Sequence, residues 1–164
     1  MALQAGYNLK ASDGTTAQHA LGDEMSTKGG AVWKYVKAAE AISAYQLCHI
    51  AADGTILKST TTLVGTAARP TELCIPQFDI ASGEYAWVPV GPFKLREDGV
   101  STFKVAALIN CAGSVKLYTT ATSGSVDDSV TTGVVQGLAL SATITAATNA
   151  ACVAVTRLTS FCDT

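Results

Sequence analysis

From Val32 onward, apolar and polar positions alternate in short runs separated by glycine, proline and small polar residues. In VWKYVKA, Trp33 and Tyr35 share one face of an extended chain, and Val32, Lys34 and Val36 share the other, because strand side chains alternate sides with period two. The next run predicts a hairpin with strands over 46–51 and 55–59. Asp53-Gly54 is expected to turn it as a two-residue type I′ connection, whose positive φ values Asp and Gly accept cheaply. STTTLVGTAARPTE reads as a surface loop broken at Arg69-Pro70.

ELCIPQFDIASGEYAWVPVG predicts two strands around Ala81-Ser82-Gly83. Pro76 would place the first at an edge or a bulge, and Pro89, Gly91 and Pro92 close the second. FKLREDG predicts a short polar strand ending at Asp98-Gly99, and TFKVAALIN an apolar one that CAGS turns into VKLYTTA. VVQGLALSA and CVAVTRLTSF supply the last strands, around a loop at TAATNA. No run carries a sustained helical stripe. The expected fold is therefore all-β: a single-domain antiparallel β-sandwich or barrel over 32–164. Residues 1–31 precede it as an extended N-terminal arm. They hold Gly6, Gly14, Gly22, Gly29 and Gly30 with mixed charges and few large apolar residues, so the arm has no core of its own and is either disordered or laid across a neighbouring subunit.

Composition sharpens this picture. The 164 residues suffice for one domain with a substantial core. Hydrophobic residues make up 48% and charged residues 15%, against about 25% charged in an average soluble domain. So few charges favour a surface covered by partners. The 11 Lys and Arg are scattered and the net charge is −2, which argues against a phosphate-neutralising patch and hence against nucleic acid. The uncharged segment 129–156 contains Gln136, Asn149, glycines and many hydroxyl residues; it predicts two strands and a turn rather than a membrane helix. Five cysteines, an odd number without CxxC spacing, argue against a zinc site and a disulfide framework. They are expected to be free buried thiols, as suits assembly in a reducing cytoplasm.

Chemical motifs are sparse. There is no phosphate-binding GxxxxGK[ST] loop, no GxGxxG and no GxSxG. Cys48 and His49 are neighbours on a strand and point to opposite faces, so they cannot act together as nucleophile and base. Asp127 and Asp128 form the one adjacent Asp pair. A glycosidase pair must span a cleft and a calcium loop needs alternating oxygen ligands, so the pair is expected to cap a turn. No catalytic residue, cofactor or metal is expected. The aromatic pairs Trp33/Tyr35 and Tyr85/Trp87 are either core or, as Trp and Tyr favour, an intersubunit contact.

In order along the chain come GGAVWKYVKAAEAISAYQLCHIAADGT, SGEYAWVPVGP, VKLYTTATSGSVDD and VVQGLALSATITAATNAACVAVTRL. This order resembles the small head decoration, or cement, proteins of tailed bacteriophages, over roughly residues 30–158. The family carries an aromatic-Trp-Val strand, then an LYTTATAG-like turn with two aspartates, then a Gln-x-Gly strand (here Gln136-Gly137 stand adjacent) and a final Ala/Leu/Thr-rich strand. Ala86 between Tyr85 and Trp87 and the ending TSFCDT depart from its pattern. The resemblance implies a non-enzymatic virion structural protein, made in the host cytoplasm and bound to the capsid surface. Its partners would be the major capsid protein and further copies of itself, as a homotrimer or else a dimer; the charge and apolar pattern argues against nucleic acid and membrane, and a glycan is the less favoured partner. The residues carried forward as intersubunit or capsid contacts are Trp33, Tyr35, Tyr85, Trp87, Tyr118, Asp127 and Asp128. A virion-associated carbohydrate-binding module, a tail component and a hydrolase using the two aspartates are the alternatives.

Overall fold

The computed structural model describes residues 7–61, 71–94, 102–108, 110–112, 116–131 and 133–162. The expected loop from 62 to 70 with its Arg69-Pro70 break, and the polar strand ending at Asp98-Gly99, lie outside them. Every named element is a strand: β1 (Glu24–Ser26), β2 (Val32–Ala38), β3 (Cys48–Ile50), β4 (Thr55–Lys58), β5 (Thr71–Cys74), β6 (Tyr85–Pro89), β7 (Phe103–Ala107), β8 (Leu117–Thr119), β9 (Val126–Asp127), β10 (Gly133–Leu140) and β11 (Thr148–Cys162). The chain is all-β and contains a closed barrel.

The barrel is the ring β11-β10-β8-β9-β7, closed because β7 pairs back onto the first third of β11. Most pairs are antiparallel, but β7–β9 and β2–β4 run parallel. β10 and β11 form the hairpin read from the uncharged segment. The far end of β11 stays paired with β10 and takes β5 on its other edge, and β5 continues through β3 and β4 to β2. β6 lies on the other side of β2, and Ile75 N–H donates to Pro89 O at 3.2 Å, joining the end of β5 to the end of β6. Strands β2 to β6 thus curl around a second interior.

This second unit has two buried faces. On β2, Trp33 and Tyr35 point into one hydrophobic cluster while Val36 and Ala38 point into another; on β6, Trp87 joins the first cluster and Ala86 and Val88 the second. Period-two alternation therefore sorts each strand between two cores. The larger cluster is continuous with the barrel interior, where Trp33 meets Phe103 at a ring separation of 5.9 Å. The smaller holds aliphatic residues and the thiols of Cys48 and Cys74.

Several local expectations change. The β3–β4 hairpin is a three-residue loop: Gly54 N–H donates to Ala51 O, Ala51 N–H donates to Thr55 O, and Gly54 alone takes a positive φ, +81°. Asp53 has ordinary φ because its carboxylate folds forward instead, accepting from Thr55 N–H at 3.0 Å and Oγ–H at 2.7 Å. β5 stops at Cys74, before Pro76, so the proline interrupts no ladder. β5 and β6 do not form a hairpin; each pairs with a distant strand.

The described part of the N-terminal segment lies on its own chain. Gly14 bridges Tyr85, and β1 pairs with β2. Leu9 and Ala31 are buried in the larger cluster. His19 stacks on Tyr7 and meets the edges of Tyr35 and Trp87, all at about 5 Å between ring centres.

Candidate functional site

Most of the aromatic contact candidates are inside. Trp33 and Tyr35 are 0% exposed and Trp87 is 1% exposed, which corrects their assignment to an intersubunit or capsid contact: the chain's own sheet and N-terminal segment cover them. Tyr35 is pinned further, since its hydroxyl accepts from Gln18 N–H at 3.0 Å and burial raises its pKa. Tyr118, also buried, sits in the barrel wall opposite Asp127 and Val134. Tyr85 is half-buried, stacked on Tyr35 with the Lys37 ammonium over its ring. Trp87 offers no sugar platform, because it is buried among the rings of Tyr7, His19 and Tyr35.

The Asp127-Asp128 pair sits where β9 ends. Asp127 Oδ1 accepts from Asp128 N–H at 2.9 Å, and Asp128 Oδ2 accepts from Ala112 N–H at 3.0 Å. Both carboxylates thus tie down backbone, the role expected of a turn cap. The preceding turn is folded inward: Gly124 N–H donates to Ser59 O, Gly124 O accepts from Leu47 N–H, and any Cβ at Gly124 would stand 2.8 Å from Gln46 Cβ. The stretch joins the barrel to the second unit.

Sequence reasoning missed the neighbour of this pair. The Cys111 thiol and the two carboxylates place one ligand atom each within 4.8 Å of one another. Burial, then the charges of Asp128 and Asp127, push the Cys111 thiol up to about 11, so it is protonated near neutral pH. Among the described residues the group offers three donors, one fewer than a structural zinc site uses. As arranged, the group caps a turn over a buried thiol.

A second feature without a sequence signal is a charge cluster across four strands. Arg157 on β11 grips both carboxylate oxygens of Glu24 on β1 at 2.6 Å and reaches Glu72 on β5 at 2.6 Å. Lys34 on β2 bridges the same two glutamates. The Arg157 hydrogen bond, aided by Lys34, outweighs burial and holds the Glu24 carboxyl at about 2. Lys34 and Glu72 form one wall of a cleft of about 290 Å³ beside Leu21 and the β3–β4 turn; these two charges are already paired with each other and their neighbours.

The exposed large apolar side chains among the described residues are Leu21, Val130 and Val155, with Val130 and Val155 about three-quarters exposed. Val155 stands on a bulge of β11. The register jumps from Gln136↔Thr159 to Leu138↔Ala154, so residues 155–158 face Gly137 alone. Gly137 lies at φ +84°, and a Cβ there would meet Thr156 Oγ1 at 2.6 Å; one at Gly91 would meet Thr156 O at 2.4 Å. Two glycines therefore let the bulge sit between two backbones.

The chain matches no protein-family model, no curated protein and no solved structure.

Proposed function

We propose that this chain is a virion structural protein that decorates a phage head, binding the major capsid protein from outside, associating with itself and reinforcing the shell. The observation that carries the reading is the order of the motifs along the chain, which resembles that of head decoration proteins. Each motif falls on an architectural element: the Trp-Tyr run on β2, EYAWVP on β6, LYTTATSGSVDD across β8 and β9, and VVQGLAL on β10. Support also comes from chemistry, since the carboxylates and charged groups described above are engaged in turns and clamps. With the tryptophans inside, apolar contact with the shell falls, among the described residues, to Leu21, Val130 and Val155. Many identical copies on a lattice make weak single contacts sufficient.

Co-sedimentation with shells assembled from the partner capsid protein tests this. The folded chain should pellet with shells and saturate. Val130→Asp and Val155→Asp should keep the unfolding midpoint, and at least one should weaken pelleting. Folded wild-type protein that stays in the supernatant at all concentrations would overturn the reading.

A further inference from the structure

Two of the cysteines face each other across a ladder. β3 and β5 are antiparallel neighbours, and their register places Cys48 directly opposite Cys74. Opposed Cα atoms in such a ladder lie about 4.5–5.5 Å apart, within the roughly 4.4–6.8 Å that a disulfide spans. Directly opposed residues project to the same side of the sheet, and both thiols lie in the smaller core, each 0% exposed. Among the described cysteine side chains the pairing is particular to these two. Cys152 stands opposite Leu140 and Phe103, and Cys111 has the aspartates beside it.

We propose that Cys48 and Cys74 are a redox-responsive pair that closes into a cross-strand disulfide when the protein meets a small-molecule disulfide oxidant. One thiolate attacks a sulfur of the oxidant and expels a thiol, leaving a mixed disulfide. The facing thiolate attacks the protein sulfur of that mixed disulfide and expels the second thiol. Two protein S–H groups become one S–S bond, and the two hydrogens leave on the two thiols released. The inference is independent of the shell-binding reading.

Access and acidity make the closure slow. Both sulfurs are buried, so reaction passes through a local opening of β3 from β5. Burial, then the adjacent Cys48 thiol, raises the Cys74 pKa well above its ordinary value, so little thiolate exists until the site opens. Once closed, the bond restrains the chain from β3 through β4 to β5 in the unfolded state.

The test incubates the full-length native protein with oxidised glutathione, alkylates remaining thiols under denaturing, non-reducing conditions and maps peptides by mass spectrometry. A Cys48–Cys74 linked peptide should accumulate over hours, faster in sub-denaturing urea, with Cys111 and Cys152 still alkylated. The oxidised protein should melt roughly 5–10 °C higher and return on treatment with dithiothreitol. Cys74→Ala should yield no linked peptide. Full alkylation of both residues even in urea, linkage of either to another thiol, stable glutathione adducts, or an unchanged melting temperature after closure would each overturn the proposal.

Discussion

The two faces of β2 and β6 bury different side chains against different parts of the chain. One face contributes to a small aliphatic core whose buried members all fall between Val36 and Val90. The other supplies Trp33, Tyr35 and Trp87 to a core that runs from Leu9 to Leu158. The first is local, closed by the β3–β4 hairpin and the turn before β6. The second exists only when the N-terminal segment, the barrel and the second unit come together. Large rings gather in the non-local core because each offers much area to several elements at once, and that core joins the two units into one body.

The comparison can be broken most severely by deleting residues 1–30. This removes Leu9, the His19 ring and β1 from the non-local core. The loss should be at least about 4 kcal/mol, a large part of the stability of a typical domain; circular dichroism and a thermal melt would show a weakened or absent cooperative transition. An unchanged melt would make the segment a separable arm. Next, Trp33→Ala should cost about 3–5 kcal/mol in urea unfolding, whereas Ile56→Val in the local core should cost about 0.5–1.5. A Trp33→Ala cost below about 1 kcal/mol would contradict its packing between the two units.

Gly91→Ala probes the seam between the units. Its Cβ would run into the Thr156 carbonyl while the backbone holds φ +83°. Together these effects should cost about 2–4 kcal/mol by the same unfolding measurement. The smallest effect concerns the charge cluster that fastens the units from outside. The folded-state pKa of Glu24 is depressed, so its contribution is present above its ordinary value of 4.5 and is lost as pH falls through about 2. The Glu24 side chain is 37% exposed, which keeps the contribution below about 1 kcal/mol and makes it salt-sensitive. Glu24→Gln should therefore lower stability slightly at neutral pH and flatten its dependence on pH across that acid window.

Alternation made β2, β6, β7 and β10 legible, since a period-two pattern needs no knowledge of the partner strand. It also placed Trp33 with Tyr35 and Tyr85 with Trp87. Alternation fixes which residues share a face but says nothing of what that face meets. That is why burial of Trp87 by His19, 68 positions away in the chain, was invisible, as were the pairing of β6 with β2 and of β7 with β11. The β3–β4 turn was misread because Asp-Gly suits both a two-residue and a three-residue loop, and the forward reach of Asp53 to Thr55 decides between them. Cys48 and Cys74 oppose each other through strand order, and Cys111 meets Asp128 through barrel closure; neither leaves a mark in local spacing. The opposite holds for Asp127, whose hydrogen bond to the next backbone N–H is local and so was readable, whereas Asp128 reaches Ala112, 16 positions away.

The proposed place of the molecule is on the outside of a phage head, with its tryptophans inside each copy. A cryo-electron microscopy map of the native particle tests this most directly. The account predicts repeated density on the outer shell surface that fits the barrel and the strand unit fastened to it, with Trp33, Tyr35 and Trp87 enclosed within each copy. Density for the chain in the tail, or a shell surface bare of it, would contradict the account.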